Sequence, residues 1–301
     1  MTRRQCVAFA AAIALWQGIY TSSFALPANP ITACPFDITA GGTYTLTADL
    51  TTSGDCITIS QPLGESVTVA LNGFSITGDG SGTAIVAAPD TTTISVVGPG
   101  TISSFFSAVD LFFTTDVTVK RLTVSDVLLG IVFGQGSLYD SVIDGTGFCL
   151  EGVEAGPKSL VKNVTATGCV FGIAVDDGSS VQQSTANFNG LGITGNEKVL
   201  VKNSTANDNA LTGILVGPSG SVSQSVTSRN GAAGFSVDTK AGIAAGPGSN
   251  VNSNTANENV IGIAMPECPG TIQQNTARDN AEADIVTGTG CTVKKNITTT
   301  P

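Results

Sequence analysis

Residues 251–265 read VNSNTANENVIGIAM, and the same order of residues returns several times in the second half of the chain. Asn254 and Asn259 follow Val251 by three and eight positions, and the pair Gly262-Ile263 closes the unit. Similar units begin at Val181, Val201 and Ile272. A motif that returns every 20 or 21 residues predicts a repeat protein in which each repeat is one structural unit.

The repeat predicts strands rather than helices. Short apolar bursts such as VTV and GIAV are separated by Asn and Gly, without a helical period, which is typical of strand, bend, strand and turn. The first core position of successive repeats is occupied by Val119, Val161, Val181, Val201, Val222, Val251, Ile272 and Val293. The longer interval between Val222 and Val251 predicts an insertion, DTKAGIAAGPGSN, at residues 238–250, with Gly234-Phe235 as the Gly-apolar pair of that repeat.

The repeated Asn residues predict an internal ladder. Asn tolerates the left-handed backbone conformation that a sharp bend needs, so we expect these Asn residues at the bends. Identical Asn side chains stacked in successive coils can also bond to one another, as they do in other stacked-strand assemblies. One such bond contributes only about 1 kcal/mol, so we expect stacked Val and Ile to drive folding and Asn to fix the register.

The consensus Val-x-x-Asn-x-Ala-x-x-Asn-x-x-Gly-Ile resembles the coil of right-handed parallel β-helix proteins of the pectin-lyase-like superfamily. The segments GGTYTLTADLTTSGDCITIS and VTVALNGFSITGDG resemble the entry cap of such proteins. The resemblance implies an all-β solenoid of about eleven coils, with an N-terminal cap at residues 26–60 and the β-helix at 61–301. It implies little about function, because this superfamily includes lyases, hydrolases, epimerases and non-catalytic proteins.

The first 25 residues predict a secretory signal peptide. MTRRQ is basic, CVAFAAAIALW is apolar but too short for a membrane span, and Ser23-Phe24-Ala25 fits a cleavage site. We therefore expect a secreted or periplasmic protein with no membrane span in the mature chain. The formal net charge of −10 argues against nucleic acid as a partner. We expect a monomer.

Six Cys residues remain after the signal peptide, and an even number in an exported chain predicts disulfides. Cys149 and Cys169 occupy the same position of consecutive repeats. Cys268 and Cys291 both precede a repeat, and Cys34 and Cys56 bracket one short segment. The repeat therefore favours three disulfides, each joining the two Cys residues of one of these neighbouring pairs. No Cys-x-x-Cys and no His are present, so no zinc site is predicted.

The sequence contains no complete catalytic motif of the superfamily that it resembles. The absence of His excludes Ser-His and Cys-His nucleophiles. The motifs typical of polygalacturonases, alginate epimerases, pectate lyases and pectin methylesterases are incomplete or missing. Copper delivery is disfavoured because it would need soft or imidazole ligands, and the chain after the signal peptide offers one Met, Met265, and no His.

One polar row is the candidate binding face. The residue after each core Val should point outward, which predicts a row containing Lys120, Tyr139, Lys162, Gln182 and Lys202. By resemblance, this outer strand face is where pectate-lyase-like proteins hold polysaccharide. Tyr could stack on a sugar ring and Lys could meet uronate carboxylates, although a solvent-facing strand is polar in any case.

A second candidate is a set of carboxylates expected in the turns before that face. Its members are Glu151, Glu154, Asp176, Asp177, Glu197 and Asp238, and the insertion is expected at the same edge. Asp176 and Asp177 could hold Ca²⁺, the one cofactor considered, with Lys162 or Lys202 as a lyase base. They could also act as a glycosidase pair, or be ordinary solvated turn residues.

The sequence favours a non-catalytic carbohydrate-binding or surface-interaction scaffold. The alternative is a polysaccharide-degrading enzyme, a uronate lyase before a glycoside hydrolase.

Overall fold

The computed structural model describes residues 29–61, 63–89, 91–234 and 236–299, and the expected signal peptide lies outside these ranges. The chain forms short parallel strands joined by bends, as the repeat predicted. The strands of the first half are β1 (Asn29–Ile31), β2 (Phe36–Ile38), β3 (Gly42–Leu46), β4 (Leu50–Thr51), β5 (Ile57–Ile59), β6 (Ser66–Ala70), β7 (Ser75–Thr77), β8 (Thr83–Ala87), β9 (Thr93–Leu111), β10 (Val117–Phe133), β11 (Gly136–Tyr139), β12 (Val142–Ala155), β13 (Leu160–Lys162) and β14 (Thr165–Val175). The strands of the second half are β15 (Ser180–Gln182), β16 (Thr185–Asn187), β17 (Leu191–Gly195), β18 (Leu200–Lys202), β19 (Thr205–Asn207), β20 (Ile214–Val216), β21 (Ser221–Ser223), β22 (Val226–Ser228), β23 (Ala241–Ala245), β24 (Asn250–Asn252), β25 (Thr255–Asn257), β26 (Ile261–Met265), β27 (Thr271–Gln273), β28 (Thr276–Arg278), β29 (Ala283–Thr287), β30 (Thr292–Lys294) and β31 (Ile297–Thr298). A 3-10 helix occupies Asp238–Lys240.

The strands stack into three parallel sheets that wind around one core in about 12 coils. Sheet A contains β1, β3, β6, the starts of β9 and β10, β11, β13, β15, β18, β21, β24, β27 and β30. Sheet B contains β4, β7, the middle of β9 and β10, the starts of β12 and β14, β16, β19, β22, β25, β28 and β31. Sheet C contains β2, β5, β8, the ends of β9, β10, β12 and β14, β17, β20, β23, β26 and β29. The segment predicted as a cap already stacks in this way, because β1 pairs with β3 and β2 with β5.

The interior is a continuous stack of aliphatic side chains. Val181, Val201 and Val222 lie directly opposite one another in sheet A and are fully buried. Burial of one such side chain contributes about 1.5–3 kcal/mol, which exceeds the contribution of any single ladder bond. In the last coil, Val293 is 46% and Ile297 49% exposed, because no described residues stack on that side of them.

The Asn ladder is confirmed. Asn209 donates from Nδ2 to Oδ1 of Asn230 at 2.9 Å, and Asn230 donates to Oδ1 of Asn259 at 2.8 Å. Each of these Oδ1 atoms also accepts from the backbone N–H of the Asn in the preceding coil. A second ladder joins Asn254, Asn275 and Asn296.

The expected backbone conformation of the ladder residues was wrong. The left-handed residue is the one before each ladder position, such as Asn203, Asp208 or Glu258, with φ of 52°, 57° and 58°. The ladder side chain must point inward to reach the next coil, and Asn209 and Asn259 are each only 1% exposed. The residue before it forms the corner of the coil and takes the strained conformation instead.

The insertion was also misplaced. Ile214 lies opposite Ile243, so the pair Gly242-Ile243 continues sheet C, and β23 is a regular strand of that sheet rather than part of an insertion. The extra residues that the structure describes lie before it, at 231–234 and 236–240, between sheets B and C. Their 3-10 helix contacts β23 and β26 on the outer side of sheet C. Both faces of β23 and β26 are therefore buried, with a small second apolar cluster formed by Ala241, Ala244, Ile261 and Ala264.

The three predicted disulfides are present. They join Cys34 to Cys56, Cys149 to Cys169, and Cys268 to Cys291. The second pair joins residues that lie opposite each other in neighbouring coils, as their equivalent repeat positions predicted. In the part of the chain that the structure describes, no helix has the length and apolar character needed to cross a membrane.

Candidate functional site

The polar row predicted on sheet A forms one continuous line on the outer face. Lys120 lies opposite Tyr139, Tyr139 opposite Lys162, Lys162 opposite Gln182, and Gln182 opposite Lys202. Neighbouring side chains of this row are separated by the strand spacing of ~4.8 Å. The core Val positions point inward and these residues therefore point outward, with Lys202 exposed and the other four partly exposed.

Further basic residues border the polar row. Arg121 follows Lys120 at the bend towards sheet B, and Lys158 and Lys198 lie in the turns that lead from sheet C into sheet A. Lys158 and Lys198 each have a left-handed backbone, with φ of 59° and 58°. Among the described residues, the ion pairs are made by Arg229 and Lys240 and by no basic residue of this region. The polar row is therefore basic, whereas the turns that border it carry both basic residues and the acidic residues Asp176, Asp177 and Glu197.

Asp176 and Asp177 lie beside the polar row, in the turn that follows β14, and each binds the next coil. Oδ1 of Asp176 accepts from Nδ2 of Asn196 at 2.6 Å, and Oδ1 of Asp177 accepts from the backbone N–H of Glu197 at 3.0 Å. No group of three or more His, Cys, Asp or Glu side chains is arranged for a metal ion anywhere in the described ranges. These contacts give both carboxylates a role in connecting adjacent coils.

The other predicted carboxylates do not all share that edge. Asp238 lies in the 3-10 helix between sheets B and C, whereas Asp176 and Asp177 lie between sheets C and A. Glu151 and Glu154 were expected in a turn but lie within β12, on the outer face of sheet C. The reason is that β12 continues to Ala155, so that Glu154 pairs with Ala174 of the next coil.

Glu154 is the carboxyl group with the most perturbed environment. It is half-buried, and the loss of solvent, together with a hydrogen bond to Glu151 and its negative charge, raises the pKa of Glu154 to about 7. Asp176 and Asp110 act in the same direction through their charge. Within sheet C, Glu151 lies between the apolar residues Leu129 and Phe171.

Sequence reasoning placed Glu151 and Glu154 among the turn carboxylates and did not identify them as an interacting pair. The available signal was the segment CLEGVEA, in which both Glu residues interrupt an otherwise apolar strand. A carboxyl group whose pKa is about 7, as that of Glu154 is, can exchange a proton with a bound molecule near neutral pH, as a general acid or base does.

Comparisons with known proteins give the same architecture. The catalytic domain of a GH87 α-1,3-glucanase, solved in complex with tetrasaccharides, has 13% sequence identity and a TM-score of 0.51, over 85% of this chain and 63% of its own. The A-module of a mannuronan C-5 epimerase from Azotobacter vinelandii has 14% identity and a TM-score of 0.49, over 87% of this chain and 89% of its own. No curated protein matches the chain significantly. The sequence model described as the right handed beta helix region matches residues 146–298. The chain has the pectin-lyase-like fold and belongs to the right-handed β-helix family.

Proposed function

We propose that the protein is an exported, non-catalytic β-helix that binds an acidic polysaccharide along the polar row of sheet A. The single observation that supports this function is the concentration of basic side chains at that face. Lys120, Lys162 and Lys202 occupy one line, and Lys158 and Lys198 border it, in a chain of net charge −10. Lys ammonium groups meet carboxylates as point charges, and the Tyr139 ring offers an apolar face to a sugar.

The proposal that the protein is exported rests on its disulfides. Three disulfides joining neighbouring coils are typical of proteins that function outside the reducing cytosol, either secreted or in a periplasm. Acidic polysaccharides are found in the same compartments, so partner and location agree. We propose that the protein acts there as a monomer.

The test compares two double variants with the same change of net charge. Electrophoretic mobility would be measured in gels containing pectate, alginate or hyaluronan. Lys162→Ala with Lys202→Ala should lower affinity for the retarding polymer about tenfold, because two exposed ion pairs are lost. Retardation should also weaken in added salt, which screens exposed charges.

The matched control is Lys294→Ala with Lys295→Ala. Lys294 lies in the same row, but the three coils between it and Lys202 carry Ser223, Asn252 and Gln273 at this position. The control should keep the wild-type affinity. Equal binding by the wild type and the Lys162/Lys202 variant would refute the assignment of the polar row.

A polysaccharide-degrading enzyme is a second candidate, favoured by the pair Glu151 and Glu154. A carboxyl group with a pKa of about 7 can serve as a general acid near neutral pH. Incubation with pectate, alginate, hyaluronan and neutral glucans, with and without Ca²⁺, would test it. New reducing ends that disappear in Glu154→Gln would favour a hydrolase, and a rise in ultraviolet absorbance would favour a lyase. If no substrate gives either product, the non-catalytic binding function remains favoured.

A further inference from the structure

A groove lies at the corner between sheets B and C, on coils that precede most of the polar row. Its volume is about 570 Å³, which is within the range of small-molecule sites. Three successive coils contribute to it through residues 78–80, 104–106 and 126–128, and Phe148 adds to it from the next coil. The groove contains no basic residue and none of the residues discussed for sheet A.

Two exposed aromatic rings border the groove. Phe106 is 49% and Phe148 73% exposed, whereas Phe105 and Val127 are buried beneath them. Phe148 ends a bulge at residues 145–148, where the register between β12 and β14 shifts. The next residue, Cys149, is bonded to Cys169 of the following coil, so the disulfide anchors the bulge that carries the ring.

Two carboxylates supply hydrogen-bond acceptors. Oδ1 of Asp79 accepts from the backbone N–H and the hydroxyl of Ser81, which lowers the pKa of Asp79. Oδ2 of Asp126 accepts from the hydroxyl of Ser104 at 2.8 Å. Each carboxylate is thereby oriented by at least one hydrogen bond.

Two glycine residues form one end of the groove. A side chain at Gly78 would place its Cβ 2.3 Å from the backbone oxygen of Ser104, so only glycine allows the two coils to approach here. Gly80 has φ of +93° and nothing within 4 Å of its missing Cβ. The backbone at this end is therefore accessible from solvent.

We infer that this groove binds neutral hexose units of a glycan, independently of the acidic-polysaccharide function proposed for sheet A. Exposed aromatic rings stack on the apolar face of a pyranose, and oriented carboxylates accept hydrogen bonds from its hydroxyl groups. The negative charge of Asp79 and Asp126 excludes uronates, which the polar row would attract. One molecule thus carries two separate surfaces for sugars of different charge.

The experiment is affinity electrophoresis in gels containing laminarin, galactomannan, pullulan or hydroxyethyl cellulose. At least one of these neutral polymers should retard the wild-type protein. Phe148→Ser should weaken that retardation about tenfold, because a stacked ring is lost, and Asp126→Asn should weaken it as well. Phe148 packs little in the folded protein, so its replacement should leave the circular dichroism spectrum and melting temperature unchanged.

Phe188→Ser is the matched control, because Phe188 is 66% exposed at the same corner but outside the groove. It should bind like the wild type. Retardation by none of the four polymers would overturn the inference, as would an equal loss of binding in Phe148→Ser and Phe188→Ser. If Phe148→Ser still binds pectate like the wild type, the groove and the polar row are independent binding sites.

Discussion

Asn residues of this chain differ in role according to the direction of the side chain. Asn230 is 1% exposed and donates from Nδ2 to the carbonyl oxygen of Ala206 at 2.8 Å and to the side chain of Asn259. Its Oδ1 accepts both from the backbone and from the side chain of Asn209. Asn252 lies on the outer face of sheet A, where water can replace any partner.

We expect Asn230→Ala to destabilise the protein by about 3 kcal/mol. The substitution leaves buried donors and an acceptor without partners, and each unsatisfied group costs about 1–3 kcal/mol. Chemical denaturation would measure the change in the free energy of unfolding. Asn252→Ala should change it by less than about 0.5 kcal/mol. A similar effect of both substitutions would show that the ladder contributes no special stability.

Glu154 should make stability depend on pH. Its folded-state pKa of about 7 lies above the value of ~4.3 for Glu in an unfolded chain. As pH rises between these values, the unfolded chain loses its proton first, so the folded state is progressively disfavoured. Glu154→Gln removes this effect and should raise the melting temperature by about 1–3 °C at pH 8.

The same substitution should leave the melting temperature unchanged at about pH 3, where both states are protonated at this position. Glu267→Gln is the control, because Glu267 is an exposed carboxyl of another turn. The raised pKa would be disproved by a Glu154→Gln variant that melts like the wild type at both pH values.

Among the elements, regular strands were predictable and irregular ones were not. The repeat identified β13, β15, β18 and their neighbours because buried Val alternates there with polar residues. The insertion was misplaced because Gly234-Phe235 imitates the Gly-apolar pair that Gly242-Ile243 provides. The left-handed corners were missed because Gln, Asp, Glu, Arg and even Phe188 occupy them, without a common residue type.

Excision of residues 232–239 should leave a folded protein with an exposed apolar surface. The ladder spacing across the insertion is 29 residues, so removing eight restores the spacing of 21 found in the next coil. The ends of the loop already meet, because a Cβ on Gly231 would lie 2.2 Å from the backbone oxygen of Lys240. Lys240, which pairs with Glu282 at 2.7 Å, is kept in this variant.

The excised variant should keep its β-sheet circular dichroism and bind more of an apolar dye, because Ala244 and Ala264 lose their cover. Its melting temperature should fall, since apolar area returns to water. Dye binding equal to that of the wild type would mean that the loop does not protect sheet C.

At the scale of the whole molecule, the sequence predicted the architecture better than the surfaces that carry function. Repeat spacing determines which residues stack, so the polar row and the disulfide between Cys149 and Cys169 could be placed by register alone. The interaction of Glu151 with Glu154 could not be predicted from the repeat spacing, because it depends on how far β12 continues before the chain turns. The groove at Phe148 arises from a bulge, which interrupts the repeat and leaves no periodic signal.

The stacking of equivalent residues has a consequence for how such a chain can change length. The strands of each coil hydrogen-bond to the coils on either side, and the ladder residue Asn230 meets an identical residue above and below. A tandem duplication of 21 codons beginning at Asn209, where the next ladder Asn follows after 21 residues, would therefore add one complete rung and leave the other strand pairings intact. A duplication of half that size would shift the following residues out of register, so that core positions would face solvent and surface positions would face the core. Growth of this gene by whole rungs, in steps of ~4.8 Å, would lengthen its outer faces without redesigning the interior.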